Sequence, residues 1–421
     1  MKKNLKTELT EVARKAKIAC GSLALLSAAF KNAVLKDMAA ALLSKKSVIL
    51  KANRKDISLA KSKGKAFIDR LSLNALRIKQ MADSLLDIAK LKDPVGEVMR
   101  AWDTPGGLSI QKVRVPIGVV AIVYESRPNV TADCIGLCFK SGNSVILRGG
   151  SQALNSNLAI FNCLKEVMQK HNLAEGAINL IATTNRQAID YLLKLNDYID
   201  LVIPRGGEEL IKKVVSSSSI PVIKHYKGIC HVYVDEEADL NMAQNICLNA
   251  KLQRPGVCNA MESMLVHRDV AARFLPGMLK KFREAGVEIR GCAFTQKIAN
   301  SSNLVRRATE KDYRTEYSDL ILSVKVVDDL DAAIAHINEY GSHHSDSIVT
   351  DNNNSAEKFL KQIDSACVYL NASTRFTDGG QFGMGAEIGI STDKLHARGP
   401  MGLEELTTYK YLVYGSGQVR V

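Results

Sequence analysis

The stretch Ile117-Gly118-Val119-Val120-Ala121-Ile122-Val123-Tyr124 decides the fold, because it is a nearly unbroken run of β-branched and apolar residues. A strand of this composition has no polar face, so both of its faces must be covered. Such strands belong to parallel sheets with helices on both sides, where ligands bind at the carboxyl ends of the strands. We therefore expect an α/β fold with ligand sites at the carboxyl ends of its strands.

Short β-branched runs and helical segments alternate after this strand, as in a parallel α/β sheet. A second alternation begins near Cys230, so two α/β domains are expected to meet near residue 228. The predicted strands are 144–147, 178–182, 201–203, 230–234, 263–267, 321–327, 346–350 and 367–371. The predicted helices are 154–171, 186–195, 208–216, 240–252, 270–285, 330–340 and 355–363.

The flanking segments differ from this pattern. Up to about Leu91 the chain is helical, with connections expected at 53–56 and at Gly64. Residues 95–114 combine a turn rich in proline and glycine with alternating polar and apolar residues, which predicts a β-hairpin arm. The terminal run 407–414 has strand character, and a bare edge strand invites pairing with another chain.

Length and composition exclude several classes of protein. The chain has 421 residues, of which 46% are hydrophobic and 24% are charged, so it is globular rather than disordered. The longest nearly charge-free apolar stretch, 18–30, is shorter than the ~20 residues that a spanning helix requires, which argues against a membrane protein. Nine scattered cysteines without a C-x2-C pair favour reduced thiols in a cytoplasm, and no metal site is expected.

The formal net charge of +13 favours anionic partners. Aromatic residues make up only 5% of the chain, and no nucleic-acid-binding motif is present, so nucleic acid is not the expected partner. Two interpretations stay open: a solvated basic surface, and steering of a phosphorylated substrate or a dinucleotide.

Two turns that contain paired glycines are candidate nucleotide-binding loops. No G-x-G-x-x-G follows the first strand, but Pro204-Arg205-Gly206-Gly207 joins a predicted strand to a helix. Its backbone N–H groups would lie at the positive end of that helix. Arg148, followed by two glycines, ends another predicted strand and could reach a phosphate or a ribose. A plain turn is the alternative for both.

Cys258 is a candidate nucleophile. It lies in the loop 253–260, between a predicted helix and a strand, where a thiol would be accessible. A cationic neighbour such as Arg254 would favour the reactive thiolate. The alternative is an ordinary structural cysteine. The glycine-rich stretch 377–389 either lets backbone approach a ligand or forms a mobile loop.

Taken together and in this order, these motifs resemble the aldehyde dehydrogenase superfamily, and most closely its members that act on glutamyl 5-phosphate in proline biosynthesis. The resemblance spans nearly the whole chain. The segments that carry it are 115–120, 124–130, 143–150, 204–207, 225–228, the Cys258 loop, 371–389 and 399–404.

The resemblance implies NADPH-dependent reduction of L-glutamyl 5-phosphate to L-glutamate 5-semialdehyde and phosphate through a cysteine thioester. It makes Cys258 the nucleophile and Asn129 the donor to the oxyanion. The residues that it assigns to cofactor binding are Arg148, Pro204, Arg205, Gly206, Gly207 and Glu316. The candidates for substrate binding are Arg127, Lys224, His225 and Arg254.

One departure from the superfamily bears on mechanism. Hydrolytic members carry a glutamate that activates water, and the matching position here is His225. Loss of that base disfavours hydrolysis of a thioester. The rival readings are another superfamily activity, either hydrolytic or coenzyme A-acylating, and a basic binding protein that keeps the fold without the chemistry.

The implied architecture has a Rossmann-like cofactor domain formed by 1–94 and 115–227, and a catalytic domain formed by 228–400. Residues 95–114 and 401–421 would form an oligomerisation arm, which predicts a homodimer or a higher homo-oligomer. A cytoplasmic location and functional coupling to the glutamate kinase that supplies the substrate are further expectations.

Overall fold

The protein is described here from a computed structural model, which covers residues 4–62, 64–224, 227–299 and 305–420. The chain forms two compact units, and the α/β fold class is confirmed. The first unit consists of Met1–Lys224, Gly383–Gly389 and Pro400–Val421, and the second consists of His225–Phe382 and Ile390–Gly399.

The helices are α1 (Leu5–Leu23), α2 (Ala28–Ser44), α3 (Lys46–Leu59), α4 (Lys65–Leu71), α5 (Ala75–Lys90), α6 (Asn129–Lys140), α7 (Leu154–Lys170), α8 (Gln187–Leu192), α9 (Glu208–Ser217), α10 (Leu240–Leu252), α11 (Arg268–Glu284), α12 (Ala293–Ala299), α13 (Glu310–Tyr313), α14 (Leu330–Tyr340) and α15 (Asn353–Gln362).

The strands are β1 (Val98–Asp103), β2 (Ser109–Pro116), β3 (Val119–Tyr124), β4 (Ser144–Arg148), β5 (Ile178–Leu180), β6 (Leu201–Arg205), β7 (Cys230–Val234), β8 (Met261–His267), β9 (Glu288–Gly291), β10 (Arg306–Arg307), β11 (Ile321–Val327), β12 (Ser345–Val349), β13 (Cys367–Leu370), β14 (Gly389–Ser391), β15 (Gly399–Met401) and β16 (Thr407–Tyr414).

The first unit is built on a parallel sheet in the order β5-β4-β3-β6. Every residue of β3 is buried, as expected for a strand covered on both faces. Residues of β3 pack in one apolar cluster with α1 and α8. Because the strands are parallel, β3, β4 and β6 all end at the same edge of the sheet.

One expectation about the N-terminal helices was wrong, and the error involves Asp56. The expected connection at 53–56 lies inside α3. Asn53 and Asp56 are buried there, and their side chains form hydrogen bonds with other segments of the chain. Asp56 accepts hydrogen bonds from the backbone N–H of Asn155 (3.2 Å) and of Ser156 (2.7 Å). Asp56 therefore caps the start of α7.

The predicted hairpin is present as β1 and β2, which are antiparallel. β16 pairs along the whole of β2, from Thr407 opposite Pro116 to Tyr414 opposite Ser109, so the sheet order is β1-β2-β16. Tyr409, Tyr411 and Val413 are each about half exposed on this sheet. The arm therefore carries an exposed apolar stripe on β16.

The second unit is built on a parallel sheet in the order β10-β9-β11-β8-β7-β12-β13. Successive side chains of a strand point to opposite faces. In β7, Val232 and Val234 pack in one apolar cluster with α10 and α11, whereas Tyr233 packs in another with α14 and α15. Helices therefore cover both faces of this sheet.

In the part of the chain that the structure describes, no helix combines the length and the apolar character needed to cross a bilayer.

Candidate active site

The first unit gathers several of the predicted cofactor residues at one sheet edge. Arg205 at the end of β6 lies opposite Tyr124, and Arg148 at the end of β4 lies opposite Val123. The backbone N–H of Glu125 donates to the carbonyl oxygen of Arg205 at 3.0 Å. This is the edge at which ligands bind in open α/β sheets.

Pro204 and Arg205 end β6, and Gly206 and Gly207 lead from it into α9, where backbone N–H groups are presented at the helix start. The N–H of Gly207 donates to a carboxylate oxygen of Glu125 at 3.1 Å. A Cβ at Gly206 would lie 2.6 Å from the carboxyl carbon of Glu125, so a larger residue there would have to displace the Glu125 side chain. The start of α9 thus already holds an anionic group that belongs to the chain itself.

Arg148 is a buried cation without a carboxylate partner among the described residues. It is 7% exposed, and its Nη1 donates to the carbonyl oxygen of Gly149 at 3.0 Å. Its Nε has no acceptor in the described part of the chain. Burial, followed by the charge of Arg186, lowers the pKa of Arg148. An anionic ligand would relieve both effects.

Asn129 is the first residue of α6 and is exposed. Its amide nitrogen donates to Asp133 Oδ2 at 3.1 Å, and Ser84 Oγ donates to the other carboxylate oxygen of Asp133 at 3.0 Å. Burial raises the pKa of Asp133, although both hydrogen bonds oppose that shift. This contact orients the Asn129 amide and uses only one of its two hydrogens.

Sequence analysis missed Asp133 and Ser84. Asp133 follows Asn129 by four residues, which places two side chains on one face of a helix. That spacing was the available signal, but no helix was predicted there. Ser84 lies 49 residues from Asp133 in the sequence, and no local pattern connects them.

Cys258 lies in the turn between the end of α10 and the start of β8, and the residue is half-buried. The backbone of Gly228 packs directly against it, since a Cβ at Gly228 would lie 1.9 Å from the Cys258 carbonyl oxygen. That oxygen also accepts a hydrogen bond from Cys230 Sγ at 3.2 Å. The Cys258 backbone is therefore held by contacts that no larger residue at 228 would permit.

Six of the other thiols are poorer candidates for a nucleophile. The thiolate is the reactive form, and burial in apolar surroundings disfavours it. Burial raises the pKa of the thiols at Cys20, Cys134, Cys138, Cys163, Cys230 and Cys247.

A buried ion pair joins the two ends of the segment that carries Cys258. Lys251 in the last turn of α10 donates to Glu262 Oε2 at 2.7 Å, with side-chain exposures of 0% and 1%. The backbone N–H of Ser318 donates to Glu262 Oε1 at 2.9 Å. Burial raises the pKa of Glu262 to about 7 and lowers the pKa of Lys251, while their mutual attraction opposes both shifts. Sequence analysis missed this pair.

Another residue that was not predicted, Arg375, lies in the short helical turn Thr374–Phe376. Its Nε donates to Gln253 Oε1 at 2.7 Å, and its Nη1 donates to Asn259 Oδ1. Both acceptors belong to the Cys258 loop. The only earlier signal was the position of Arg375 within the stretch 371–389 that carries the family resemblance.

The remaining predicted residues are distributed as follows. Arg254 is exposed and lies just after α10. Arg127 is exposed in the turn between β3 and α6, and Lys224 is the half-buried last residue of the first unit's main segment. Glu316 is half-buried after α13, in the second unit. His225 lies outside the described residues.

One group of side chains in the second unit has metal-ligand chemistry. Potential ligand atoms of Glu236, His267 and Asp269 lie within 4.8 Å of one another. His267 Nδ1 already accepts a hydrogen bond from the Asp269 N–H at 3.2 Å, as the cap of α11.

The chain matches the model of the aldehyde dehydrogenase family over residues 2–291 and 310–412. It is 56% identical over 415 residues to a gamma-glutamyl phosphate reductase of Caldanaerobacter subterraneus, covering 98% of this chain and 100% of the relative. A gamma-glutamyl phosphate reductase of Nautilia profundicola is 52% identical over 414 residues, with the same coverage of both chains.

Solved structures of aldehyde dehydrogenases are also similar to this chain. The crystal structure of gamma-glutamyl phosphate reductase from Thermotoga maritima superposes with a TM-score of 0.95 at 48% identity, covering 98% of this chain and 100% of that one. An acetylating aldehyde dehydrogenase from Geobacillus thermoglucosidasius has a TM-score of 0.71 at 16% identity, covering 99% and 98% of the two chains. The latter likeness concerns the fold alone.

Glu262→Gln is expected to lower the free energy of unfolding by about 3–5 kcal/mol, because it leaves the Lys251 ammonium buried without a carboxylate. Chemical denaturation measures the effect. Replacing both residues by Met should recover most of the loss, since an apolar pair of similar volume removes the uncompensated charge.

Glu357→Gln is the matched control, because Glu357 pairs with Lys361 on the surface, with side-chain exposures of 64% and 72%. That change should cost less than about 1 kcal/mol. A Glu262→Gln protein as stable as wild type would contradict the assignment of a buried, charged pair.

Proposed function

Because the chain belongs to the aldehyde dehydrogenase family, we propose that it is a gamma-glutamyl phosphate reductase, an oxidoreductase that uses NADPH to reduce L-glutamyl 5-phosphate to L-glutamate 5-semialdehyde and phosphate. The support is similarity over essentially the whole chain to enzymes of that name, at 52% identity and above. The reaction is a step of proline biosynthesis.

The observation that carries the chemistry is the placement of Cys258 in a tethered turn. Gly228 packs on the backbone of Cys258, and Cys230 donates to its carbonyl oxygen. The Lys251–Glu262 pair joins the two ends of the segment that contains it. A nucleophile must be both accessible and fixed in position. A half-buried thiol on a loop with anchored ends meets both requirements.

The proposed reaction begins with attack by the Cys258 thiolate on the acyl carbon of the substrate. The C–S bond forms, the bond from that carbon to the phosphate oxygen breaks, and phosphate leaves with the electron pair. After hydride addition to the thioester carbon, the Asn129 amide and the Cys258 backbone N–H stabilise the oxyanion. Collapse of this adduct breaks the C–S bond, releases the semialdehyde and restores the thiolate.

The residues of the first unit fit a nicotinamide dinucleotide, which the family implies. When bound, the dinucleotide supplies the hydride. The N–H groups at the start of α9 suit its phosphates, since Gly207 already donates to the carboxylate of Glu125. Arg148 contributes a buried positive charge that lacks a carboxylate partner among the described residues. Phosphate binding at this loop requires the Glu125 carboxylate to turn away.

In the second unit we propose that Glu316 contacts a ribose of the dinucleotide. The substrate has two anionic ends, and Arg127, Lys224, His225 and Arg254 stay candidates for binding them. His225 takes the position of the water-activating glutamate of hydrolytic members. A thioester that meets no general base survives until hydride arrives, so the activated phosphate is not wasted.

The location proposed for the reaction is the cytoplasm. The cysteines of the described chain are free thiols, which fits a reducing compartment. We also propose functional coupling to glutamate kinase, because an acyl phosphate is a reactive substrate that is best used soon after it forms.

Oxidation of glutamate 5-semialdehyde by NADP⁺ is expected to depend on inorganic phosphate, since phosphate must accept the acyl group from Cys258. The measurement is NADPH absorbance with and without phosphate. Equal steady-state rates in both buffers would favour a hydrolytic member of the family, and a rate restored by coenzyme A instead of phosphate would favour an acylating one.

Cys258→Ala is expected to lose essentially all turnover in the same assay. Cys292→Ala is the control, because Cys292 is another half-buried cysteine and lies at the end of β9. Unchanged behaviour of the Cys258 variant would favour a protein that keeps the fold and only binds ligands.

The arm supports a further proposal, that the protein is a homodimer or a higher homo-oligomer. In the described chain β16 forms the outer strand of its sheet, with Tyr409, Tyr411 and Val413 exposed on one face. An exposed edge strand with apolar side chains is normally covered in a native assembly. A second copy of the chain is the proposed cover.

Light scattering coupled to size exclusion is expected to give a mass of at least two chains for wild type. Val413→Asp should shift the protein toward the monomer, because it places a charge in the apolar stripe. Leu25→Asp, at a residue that is 86% exposed outside the arm, should leave the mass unchanged. A compact wild-type monomer would contradict the proposal.

A further inference from the structure

Arg375 belongs to a turn that is fastened to the nucleophile loop through Asn259, the residue after Cys258. Asn259 is 4% exposed. Its carbonyl oxygen accepts from Thr374 Oγ1 at 2.8 Å, and its amide nitrogen donates to the carbonyl oxygen of Thr377 at 2.7 Å. The Asn259 amide oxygen accepts from Arg375 Nη1. A buried amide that both donates and accepts therefore sets where the guanidinium lies relative to the loop.

The guanidinium of Arg375 has no ion-pair partner in the described part of the chain. Its two hydrogen-bond acceptors, Asn259 Oδ1 and Gln253 Oε1, are neutral amide oxygens. Its Nη2 makes no hydrogen bond to a described residue. A guanidinium has five N–H donors, so donors are left to bind an anion.

The electrostatic surroundings favour such an anion. Burial lowers the pKa of Arg375, and the neighbouring charge of Arg254 lowers it further, whereas Asp378 and Cys258 act in the opposite direction. Arg375 and Arg254 repel each other, and Arg375 is half-buried. Both effects cost free energy, which a bound dianion would offset. The interaction between Arg375 and Cys258 is mutual, so the same cation also stabilises a thiolate there.

We propose that Arg375, together with Arg254, binds the phosphate of the acyl phosphate substrate and stabilises it as it leaves. This inference rests on the proposed function. The guanidinium suits a phosphate because its N–H groups match two oxygens at once. It holds the phosphate while the C–S bond to Cys258 forms and the carbon–oxygen bond breaks, and it holds free phosphate for attack on the thioester in the reverse direction.

The substrate has a second oxyanion, the α-carboxylate, which a guanidinium would also recognise. Proximity to Cys258 favours the phosphate, because the leaving oxygen is bonded to the carbon that sulfur attacks. The α-carboxylate lies at the other end of the glutamyl chain. The two assignments predict different kinetic changes.

Arg375→Ala is the test variant, assayed in the direction of semialdehyde oxidation by NADP⁺. The KM for inorganic phosphate should rise about 10–100-fold, as expected for loss of a hydrogen bond to a charged group. The KM for the semialdehyde should change less than about 3-fold. Added guanidinium ion should restore part of the activity, which a purely structural defect in the loop would not allow.

Two controls accompany it. Arg306→Ala removes an arginine that is 74% exposed and pairs with Glu288, and it should change neither constant. Arg375→Lys keeps the positive charge but loses paired donation, so its KM for phosphate should rise by a smaller factor. Arg375→Lys is the variant to be measured if Arg375→Ala does not fold.

The outcomes separate the inference from the proposed function. An unchanged KM for phosphate in both Arg375 variants, with wild type still dependent on phosphate, overturns the inference alone. A raised KM for the semialdehyde with an unchanged KM for phosphate assigns Arg375 to the α-carboxylate and also overturns it. A wild type that needs no phosphate overturns the proposed function itself.

Discussion

The buried ion pair between Lys251 and Glu262 is the contact on which the geometry of the second unit's candidate site depends. It joins the last turn of α10 to β8 across the segment that bears Cys258. Burying two charges adds little net stability, since apolar residues of similar volume often serve as well. We therefore interpret the role of the pair as positional. It fixes both ends of the loop and leaves the middle of the loop accessible.

Two further constraints hold the middle of this loop. Gly228 allows a backbone approach that any side chain would prevent, and Asn259 uses its amide and its carbonyl oxygen to bind the turn that bears Arg375. Backbone contacts and the buried Asn259 amide thus help to place the thiol and the cation. The first unit uses a similar arrangement, in which Asp133 orients the exposed Asn129 amide from a largely buried position.

Long, strongly periodic elements were predicted from the sequence with accurate bounds. β7, β11, α10 and α14 coincide with their predicted ranges, because each has one clear period and a sharp end. α6 was not predicted, since nearly all of its residues are buried and it has no polar face to reveal a helical period. The connection expected at 53–56 was wrong. Asn53 and Asp56 are polar residues of the kind that is common in loops, but here they are buried within a helix.

The candidate site could be predicted only in part, for the same physical reason. Cys258 and residues 204–207 could be predicted because each lies in a short segment whose own residue order indicates a site. Arg375 and Asn259 meet across 116 residues of sequence, and Ser84 and Asp133 across 49, so tertiary packing alone brings them together. Supporting residues of this kind leave no local pattern in a single sequence.

The role of Cys258 is tested most directly by a rapid-mixing experiment with semialdehyde and NADP⁺ in phosphate-free buffer, followed by mass spectrometry of the quenched protein. We expect a single burst of NADPH, equal to the number of active subunits, and a glutamyl group on the peptide that contains Cys258. Continued NADPH production without phosphate, or a burst with Cys258 unmodified, would contradict it.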